Sequence, residues 1–382
     1  MLYFDNAATS WPKPVSVKKA VCDALQYYGA NPGRSGHEMA METAGKIYSC
    51  RNKAAELFGI SAQENIVFTK NCTEAINIVL MSMEKNGGHI IISDLEHNSV
   101  LRPLYELKKR GNIDFSVAEV FENEPEKTLE SYRKLIRGDT KMLVATGESN
   151  VFGIKLPVDS IARLANEHGI LFMLDAAQVA GSEKINMEES SIDFLCAPGH
   201  KGLLGPMGTG ILATRKPDIL EPLLFGGTGN YSLYPSQPKG LPEMLESGTL
   251  NVPGICGLFA GLDKIAKEGE ESIGKREVEL AAALYKELSA MKNIKLFTAP
   301  PKYCTHGGVL SFVLGDLTGE GTAELLSQNG IAARGGFHCA ALAHEKMGTE
   351  KRGTCRLSIG AMTSEEELRK LIKIMHGISK NI

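Results

Sequence analysis

The stretch Ser191–Ala213, SIDFLCAPGHKGLLGPMGTGILA, places one lysine in a setting that ordinary surface lysines do not share. Its apolar run, residues 192–197, predicts a buried strand, and Lys201 follows that strand in a loop rich in glycine and proline. Such a loop cannot be helical, and it lets the backbone approach a ligand closely. A desolvated lysine there would lose its proton more easily and could form a Schiff base with a carbonyl. A glycine-rich turn with a solvated lysine is the alternative that this stretch alone leaves open.

A second apolar run, residues 170–174, precedes this stretch and ends at Asp175 and Gln178 in the sequence ILFMLDAAQ. A run of this kind is typical of a parallel strand that is buried on both faces. A carboxylate at the carboxyl end of such a strand lies where α/β sheets bind their ligands. An Asp and a Lys after successive strands are what a pyridoxal phosphate site needs, because the Asp keeps the pyridine nitrogen protonated and the Lys carries the cofactor.

The motifs DAAQ at 175–178 and GHK at 199–201 resemble those of a class V aminotransferase-fold enzyme, specifically a cysteine desulfurase. The resemblance covers nearly the whole chain. It implies an α/β protein with the type I fold of pyridoxal phosphate-dependent transferases. The large domain, residues 13–255, would hold a mostly parallel seven-stranded sheet flanked by helices. Residues 1–12 and 256–382 would form a small domain, an N-terminal arm with a C-terminal α+β unit.

Composition sets limits on partners and location. The chain has 382 residues, 43% of them hydrophobic, which is enough for one large core and a smaller one. Its net charge of −3 implies no broad basic surface for nucleic acid. No apolar run reaches the about 18 residues that a membrane span needs, and the N-terminus lacks a signal-peptide pattern. We therefore expect a cytoplasmic protein without nucleic-acid or membrane partners.

The eight cysteines show neither a CxxC pair nor metal-ligand spacing, so we expect no metal site and mostly free, buried thiols. One cysteine is different. The segment ARGGFHCAALAH, residues 333–344, places Cys339 after a glycine pair, beside His338 and near Arg334. A neighbouring cation and an exposed loop lower the pKa of a thiol and make it nucleophilic. The segment also resembles the short Arg-x-Gly-x-His-Cys loop of group II cysteine desulfurases, with Phe337 replacing a His of many of them.

The helix predicted after strand 66–69 opens at KNCTEAIN, residues 70–77. Backbone N–H groups at a helix start can bind an anion, although Thr73 could equally cap the helix without any ligand. The resemblance implies that Cys72 and Thr73 hold the cofactor phosphate. A thiol at position 72 is a weaker donor than the hydroxyl of many relatives. His200 would also contact the phosphate.

Polar residues follow two further predicted strands. His97 comes after strand 89–93 and begins a helix; taken alone, such a histidine is more often a core or capping residue. The resemblance implies that His97 stacks on the cofactor ring and moves protons. It also implies that Asn150 and Gln178 contact the ring oxygen and tune the electronics of the ring. Thr249 would reach the phosphate held by a second copy of the chain, which implies a homodimer; Met244 departs from the usual Arg of this region.

Arg356 lies in an otherwise apolar predicted strand, where a guanidinium must find an anion. An internal salt bridge would satisfy it, whereas the resemblance implies the α-carboxylate of the substrate. The substrate-binding residues implied in this way are Asn6, Ala8, Arg34, His37, Arg334 and Arg356.

The resemblance implies a cysteine desulfurase that converts L-cysteine to L-alanine and leaves a persulfide on Cys339. Lys201, His97 and Cys339 would be catalytic, and an acceptor protein or a reductant would take the persulfide sulfur. That sulfur could enter iron–sulfur clusters, thiolated tRNA, another cofactor or selenium metabolism. Three alternatives stay open: a selenocysteine lyase acting on L-selenocysteine, a class V aminotransferase or carbon–sulfur lyase that does not use the thiol, and a binding protein whose Lys201 carries no cofactor.

Overall fold

The computed structural model describes residues 1–32, 36–230 and 232–380. Its helices are α1 (Val15–Asp23), α2 (Glu38–Phe58), α3 (Cys72–Ser82), α4 (Asn98–Arg110), α5 (Pro125–Leu135), α6 (Val158–Glu167), α7 (Val252–Glu268), α8 (Glu270–Ser289), α9 (Gly319–Gln328), α10 (Ala341–Lys346) and α11 (Glu365–Ser379). Its strands are β1 (Leu2–Tyr3), β2 (Ile66–Thr69), β3 (Gly88–Ser93), β4 (Ile113–Ala118), β5 (Thr140–Thr146), β6 (Leu171–Asp175), β7 (Phe194–Pro198), β8 (Gly210–Thr214), β9 (Ile294–Leu296), β10 (Val309–Leu314), β11 (Ile331–Ala332), β12 (Arg334–Gly336) and β13 (Thr354–Ser358).

The central sheet has seven strands in the order β2-β8-β7-β6-β5-β3-β4. Strand β8 runs antiparallel to both of its neighbours, and the other strands are parallel to one another. This confirms the predicted mostly parallel sheet. The loop that carries Lys201 connects β7 to β8, so the lysine lies at the carboxyl end of β7.

Alternation along the strands builds two apolar layers. In β3, Ile90 and Ile92 pack with helices α3 and α4 on one face, while Ile91 packs with α2, α6 and α7 on the other. Apolar residues therefore face both layers, which is why the strand reads as a continuous hydrophobic run.

A second sheet, in the order β12-β13-β10-β9, is antiparallel and packs on helices α8, α9 and α11 around residues such as Leu284, Phe312 and Leu371. Strand β1 pairs in parallel with β11, so the N-terminal arm joins this C-terminal part. The proposed domain boundary after residue 255 falls within α7, and the division at that point stays a prediction. No helix in the described ranges is long and apolar enough to cross a membrane.

A buried ion pair anchors the segment between β8 and α7. Both terminal nitrogens of Arg51 lie 2.9 Å from the carboxylate of Glu246, and the backbone N–H of Phe68 donates to the same carboxylate over 2.7 Å. The nearby Met244 is buried in the apolar layer with α3 and α4. Because Arg51 supplies the cation for Glu246, the departure at position 244 leaves this carboxylate paired.

Candidate active site

The predicted site residues meet at one edge of the central sheet. His97, Asn150, Asp175 and Lys201 lie at or just after the carboxyl ends of β3, β5, β6 and β7. Parallel strands bring such ends together, which is the geometry that the sequence predicted. The loop of Lys201 also packs backbone to backbone on the turn after β6, where Gly202 touches the carbonyl of Ala180 and leaves no room for a side chain.

Asp175 is 2% exposed. Its Oδ1 accepts a hydrogen bond from the backbone N–H of Ala177 at 3.0 Å and lies 3.6 Å from Sγ of Cys72. Burial raises the pKa of Asp175, whereas the Ala177 N–H and the nearby Lys201 lower it. A further donor, such as a protonated ring nitrogen, would favour the ionised carboxylate.

The N-terminal arm holds the backbone of the lysine loop. The carbonyl of His200 accepts from the backbone N–H of Ser10 at 3.1 Å, from the Thr9 hydroxyl at 3.0 Å and from the Lys13 ammonium at 2.7 Å. The hydroxyl of Ser10 also donates to the carbonyl of Lys201 over 2.9 Å. These contacts fix the point from which the Lys201 side chain extends. The sequence analysis did not predict roles for Ser10 and Lys13.

Lys201 is half-buried and lines a small cavity of about 40 Å³ with Asn6, Gln178 and Glu148. Burial lowers the pKa of the Lys201 ammonium, and the carboxylate of Asp175 opposes that shift. A neutral amine is therefore easier to reach here than at the surface, as the sequence predicted.

His97 caps helix α4. Its Nδ1 accepts from the backbone N–H of Ser99 at 3.0 Å, so the hydrogen of the neutral ring lies on Nε2. Burial, with a smaller contribution from Lys201, lowers the pKa of His97 to about 4. The ring is neutral at physiological pH, and it can donate a hydrogen bond from Nε2.

Arg356 on β13 is 1% exposed, and two of its nitrogens have partners. Nη1 donates to the carbonyl of Asn150 at 2.7 Å, and Nη2 lies 2.8 Å from Oδ1 of Asp5. Arg334 lies opposite on β12, with Nε 3.5 Å from Oδ2 of Asp5. The internal salt bridge that the sequence left open is therefore present. The buried Nε of Arg356 has no partner among the described residues.

The exposed Cys339 sits in a short loop between β12 and α10. Its carbonyl accepts from the backbone N–H of Asn98 at 2.8 Å, which ties the loop to the helix that His97 caps. Of the two neighbours named in the sequence analysis, His338 does not supply the cation, because burial lowers its pKa to about 3 and leaves the ring neutral. Arg334 is the remaining cation of that predicted environment.

Two side chains that were predicted to contact the cofactor donate hydrogen bonds to backbone carbonyls. The side chain of Asn150 donates to the carbonyl of His338 over 2.8 Å, and that of Gln178 donates to the carbonyl of Ala7 over 3.2 Å. The thiol of Cys72 faces Asp175 and not the solvent-exposed turn where Thr73 lies. Asn71 caps α3 by accepting from Glu74, in place of the possible Thr73 cap.

The remaining predicted residues lie at different distances from Lys201. Asn6 is buried in the arm, where its side chain donates to the carbonyl of Ser358, and Ala8 lies two residues further along. His37 is exposed and caps helix α2 through Nδ1. Thr249 lines a different cavity, of about 710 Å³, with Arg51 and Tyr48. Arg34 lies outside the described residues.

Buried carboxyl groups form a feature that the sequence analysis missed. Glu148, which is 3% exposed, follows β5, and Glu277 lies on α8 across the small cavity. Burial raises the pKa of Glu148 well above its ordinary value and that of Glu277 to about 8; Lys155 opposes both shifts. Lys155 itself pairs with Glu183. No sequence pattern indicates this cluster, because its members come from distant parts of the chain.

Replacing Glu148 by glutamine should stabilise the protein increasingly as the pH rises above the ordinary pKa of a glutamate. The folded chain keeps a proton on Glu148 that the unfolded chain releases above its ordinary pKa, so each pH unit costs the wild type about 1.4 kcal/mol of stability. Glutamine removes that cost. Thermal unfolding of both proteins across this pH range measures it, and Glu324→Gln on the exposed face of α9 is the control. A stability difference that is constant with pH would contradict the expectation.

The residues present fit pyridoxal phosphate. The buried Nδ1 of His200 has no partner in the described part of the chain, as expected of a ring that faces an absent phosphate. Burial lowers the pKa of His200 to about 4. A phosphate beside the ring would oppose that shift and would accept a hydrogen bond from Nδ1 when this nitrogen carries the hydrogen. Asp175 could face the ring nitrogen, and Lys201 could hold the aldehyde carbon.

Known proteins resemble this chain over its whole length. The family model for aminotransferase class-V matches residues 2–371. A probable cysteine desulfurase of Methanothermobacter thermautotrophicus is 32% identical, covering 99% of this chain and 94% of its own. Another, of Pyrococcus abyssi, is 31% identical and covers 100% and 95%.

Solved structures agree with these matches. The apo structure of the cysteine desulfurase of Thermococcus onnurineus NA1 is 31% identical, with a TM-score of 0.92 over 100% of this chain and 95% of that one. The cysteine desulfurase of Escherichia coli in its S-sulfonic acid form is 25% identical, with a TM-score of 0.87 over 100% and 95%. The chain belongs to the class-V aminotransferase family and is related along its whole length to cysteine desulfurases.

Proposed function

We propose that this protein is a pyridoxal phosphate-dependent cysteine desulfurase that converts L-cysteine to L-alanine and a persulfide on Cys339. The observation that carries the proposal is the position of Cys339, whose backbone is bonded to Asn98 beside His97 while its side chain stays exposed. An aminotransferase or carbon–sulfur lyase has no need of a thiol tied to the site in this way. The class V aminotransferases and cysteine desulfurases are pyridoxal phosphate enzymes, which agrees with the fit of Asp175, His200 and Lys201.

When bound, the cofactor would supply an electron sink for the carbanion formed at Cα of the substrate. Asp175 would keep the ring nitrogen protonated, and the Nε2–H of His97 would face the ring. Lys201, as the neutral amine that its burial favours, would accept the Cα proton. Arg356 and Arg334 would attract the substrate carboxylate, in competition with Asp5.

The thiolate of Cys339 would attack the sulfur of L-cysteine. The new S–S bond forms as the bond between that sulfur and Cβ breaks, and Cβ takes the electron pair and then a proton. Alanine and the Cys339 persulfide together account for every atom of L-cysteine and the enzyme thiol. An acceptor protein or a thiol reductant must then remove the outer sulfur before the next turnover.

We propose a homodimer for the working enzyme. Support comes from the cavity of Thr249, which does not include Lys201, and from exposed apolar residues of the segment between β8 and α7, such as Phe225, 75% exposed, and Leu233, 97% exposed. Thr249 would complete the site of the second copy.

A cytoplasmic location agrees with the free state of all eight cysteines, because thiols stay reduced there.

The test is to supply the purified protein with pyridoxal phosphate and L-cysteine and to quantify alanine and sulfide in the presence of a thiol reductant. We expect the two products in equal amounts. L-Selenocysteine is assayed in parallel, since it carries the same amino and carboxyl groups. Pyruvate and ammonia instead of alanine would indicate a carbon–sulfur lyase. Transfer of the amino group from L-cysteine to a keto acid would indicate an aminotransferase.

A further inference from the structure

Two buried histidines lie under the Cys339 loop. His338 is 8% exposed and His344, on α10, is 1% exposed. Nδ1 of His338 lies 3.5 Å from Nε2 of His344, and their ring planes differ by only 12°, which permits an in-plane N–H···N contact. Nδ1 of His344 lies 2.7 Å from the hydroxyl of Thr349. The mechanism above uses neither His344 nor Thr349.

One arrangement of hydrogens satisfies the contacts along this row together, although the Thr349 hydroxyl also lies 3.3 Å from the carbonyl of His344. Nε2 of His338 lies 3.2 Å from the carbonyl of Arg334, which can only accept, so that nitrogen carries the hydrogen and Nδ1 is an acceptor. His344 must then donate from Nε2. Its Nδ1 is left as an acceptor for the Thr349 hydroxyl. The order of donation therefore runs from Thr349 through His344 and His338 to the Arg334 carbonyl.

Both rings must stay neutral for this order to hold. Burial lowers the pKa of His338 to about 3, and Arg356 adds to the shift. Burial likewise lowers the pKa of His344, while a hydrogen bond to the backbone of Phe337 and, to a smaller extent, the neighbouring Glu350 oppose the shift. The rings of Phe152 and Phe337 pack edge-on against His344 at centroid distances of 5.8 Å and 5.5 Å, which completes an apolar enclosure.

The loop above this pair needs support because its backbone is strained. His338 and Cys339 both adopt left-handed conformations, with φ of 51° and 57°, which side chains other than glycine rarely take. The carbonyls of these two residues are held by Asn150 and Asn98. Of the two strained residues, only His338 has a buried side chain. The fixed orientation of its ring is therefore a further restraint on the loop, beside the two backbone hydrogen bonds.

We propose that His344 and Thr349 are positioning residues that lock the ring of His338 and thereby hold Cys339 in the left-handed conformation from which its thiol reaches the substrate sulfur. The proposal rests on the proposed function for its catalytic consequence. The locking itself is a property of the chain that can be measured without turnover.

The experiment compares four variants with the wild type. His344→Phe keeps the aromatic packing and removes both hydrogen bonds, and His344→Gln restores a distal N–H. Thr349→Val removes the hydroxyl that fixes the hydrogen of His344, and Thr349→Ser restores it. For each holoenzyme, kcat and KM for L-cysteine are measured, together with the rate at which iodoacetamide alkylates Cys339, read by peptide mass spectrometry. Alkylation of the exposed Cys304 is the internal reference.

We expect His344→Phe and Thr349→Val to lower kcat about tenfold with KM changed less than about twofold, since each loses hydrogen bonds that act on position and not on substrate binding. Their Cys339 alkylation rate should change at least about threefold relative to Cys304. Thr349→Ser and His344→Gln should recover most of both effects. His376→Gln, at a half-exposed histidine on α11, should behave as the wild type.

Wild-type kcat and alkylation in Thr349→Val would overturn the proposal. So would variants that unfold at lower temperature while the folded enzyme keeps its kcat, because that result describes a structural role alone. If the wild type produced no alanine from L-cysteine, the proposed function would fail, whereas the alkylation rates would still decide whether the histidine pair positions Cys339.

Discussion

Replacing Cys339 by alanine is expected to lower the production of alanine and persulfide sulfur from L-cysteine by at least about 10³-fold, the scale on which loss of a nucleophile acts. The loop has no second thiol, and the nearest buried cysteine of this part of the chain, Cys355, lies within β13 with its pKa raised by burial. Cofactor binding should be retained, because none of the contacts of Asp175, His200 or Lys201 involves the Cys339 side chain. Alanine, sulfide and the visible absorption of the bound cofactor are the measurements.

Cys304→Ala is the matched control for this experiment, since Cys304 is also exposed but lies in the loop between β9 and β10. It should turn over L-cysteine at the wild-type rate. If Cys339→Ala still turned over L-cysteine, the protein would be a lyase or aminotransferase that does not use the thiol. The assignment of pyridoxal phosphate would still stand.

Replacing Lys201 by alanine should remove the covalent link to the cofactor and lower turnover by about 10²–10⁴-fold, the range seen for loss of a positioned general base. Lys201 lines the small cavity with Gln178 and Asn6, and its pKa is lowered by burial. The measurement is intact mass after borohydride reduction: the wild type should gain the reduced cofactor on residue 201, and the variant should not.

Lys13→Met is a useful companion variant, because Lys13 also reaches the His200 carbonyl but should not carry the cofactor. Burial lowers the pKa of Lys13 to about 8, so its amine could also react with the cofactor aldehyde and give the same gain in mass. The label should persist in Lys13→Met. A label that disappears from Lys13→Met and persists in Lys201→Ala would reverse the assignment.

The parts of the site that follow from local patterns could be predicted from sequence. The apolar runs before Asp175 and Lys201 identify parallel strands, and the parallel arrangement places both side chains at one edge of the sheet. The antiparallel direction of β8 was not predicted. The glycine loop reverses the chain between β7 and β8, so that β8 pairs with β7 in the opposite direction.

Properties that depend on burial by distant segments could not be predicted in the same way. The neutral state of His338 could not be predicted, because a loop sequence does not show that His344 and the Arg334 backbone contact the ring. The sequence predicted only that Arg356 must pair with an anion. It could not identify Asp5 as the partner, because Asp5 lies far away in sequence. Glu148, which follows β5, and Glu277 on α8 line the same small cavity, and no spacing in the sequence encodes that.

The pairing of β1 with β11, together with the Asp5–Arg356 contact, has a consequence for synthesis of the chain. The N-terminal arm is synthesised long before β11 and β13, so it stays unpaired until those strands leave the ribosome. The central sheet can form in the meantime, because β2 to β8 are contiguous in the chain. A nascent chain halted before β13 would hold Asp175 and Lys201 on a finished sheet but would lack Arg356, so cofactor capture can precede completion of the substrate pocket.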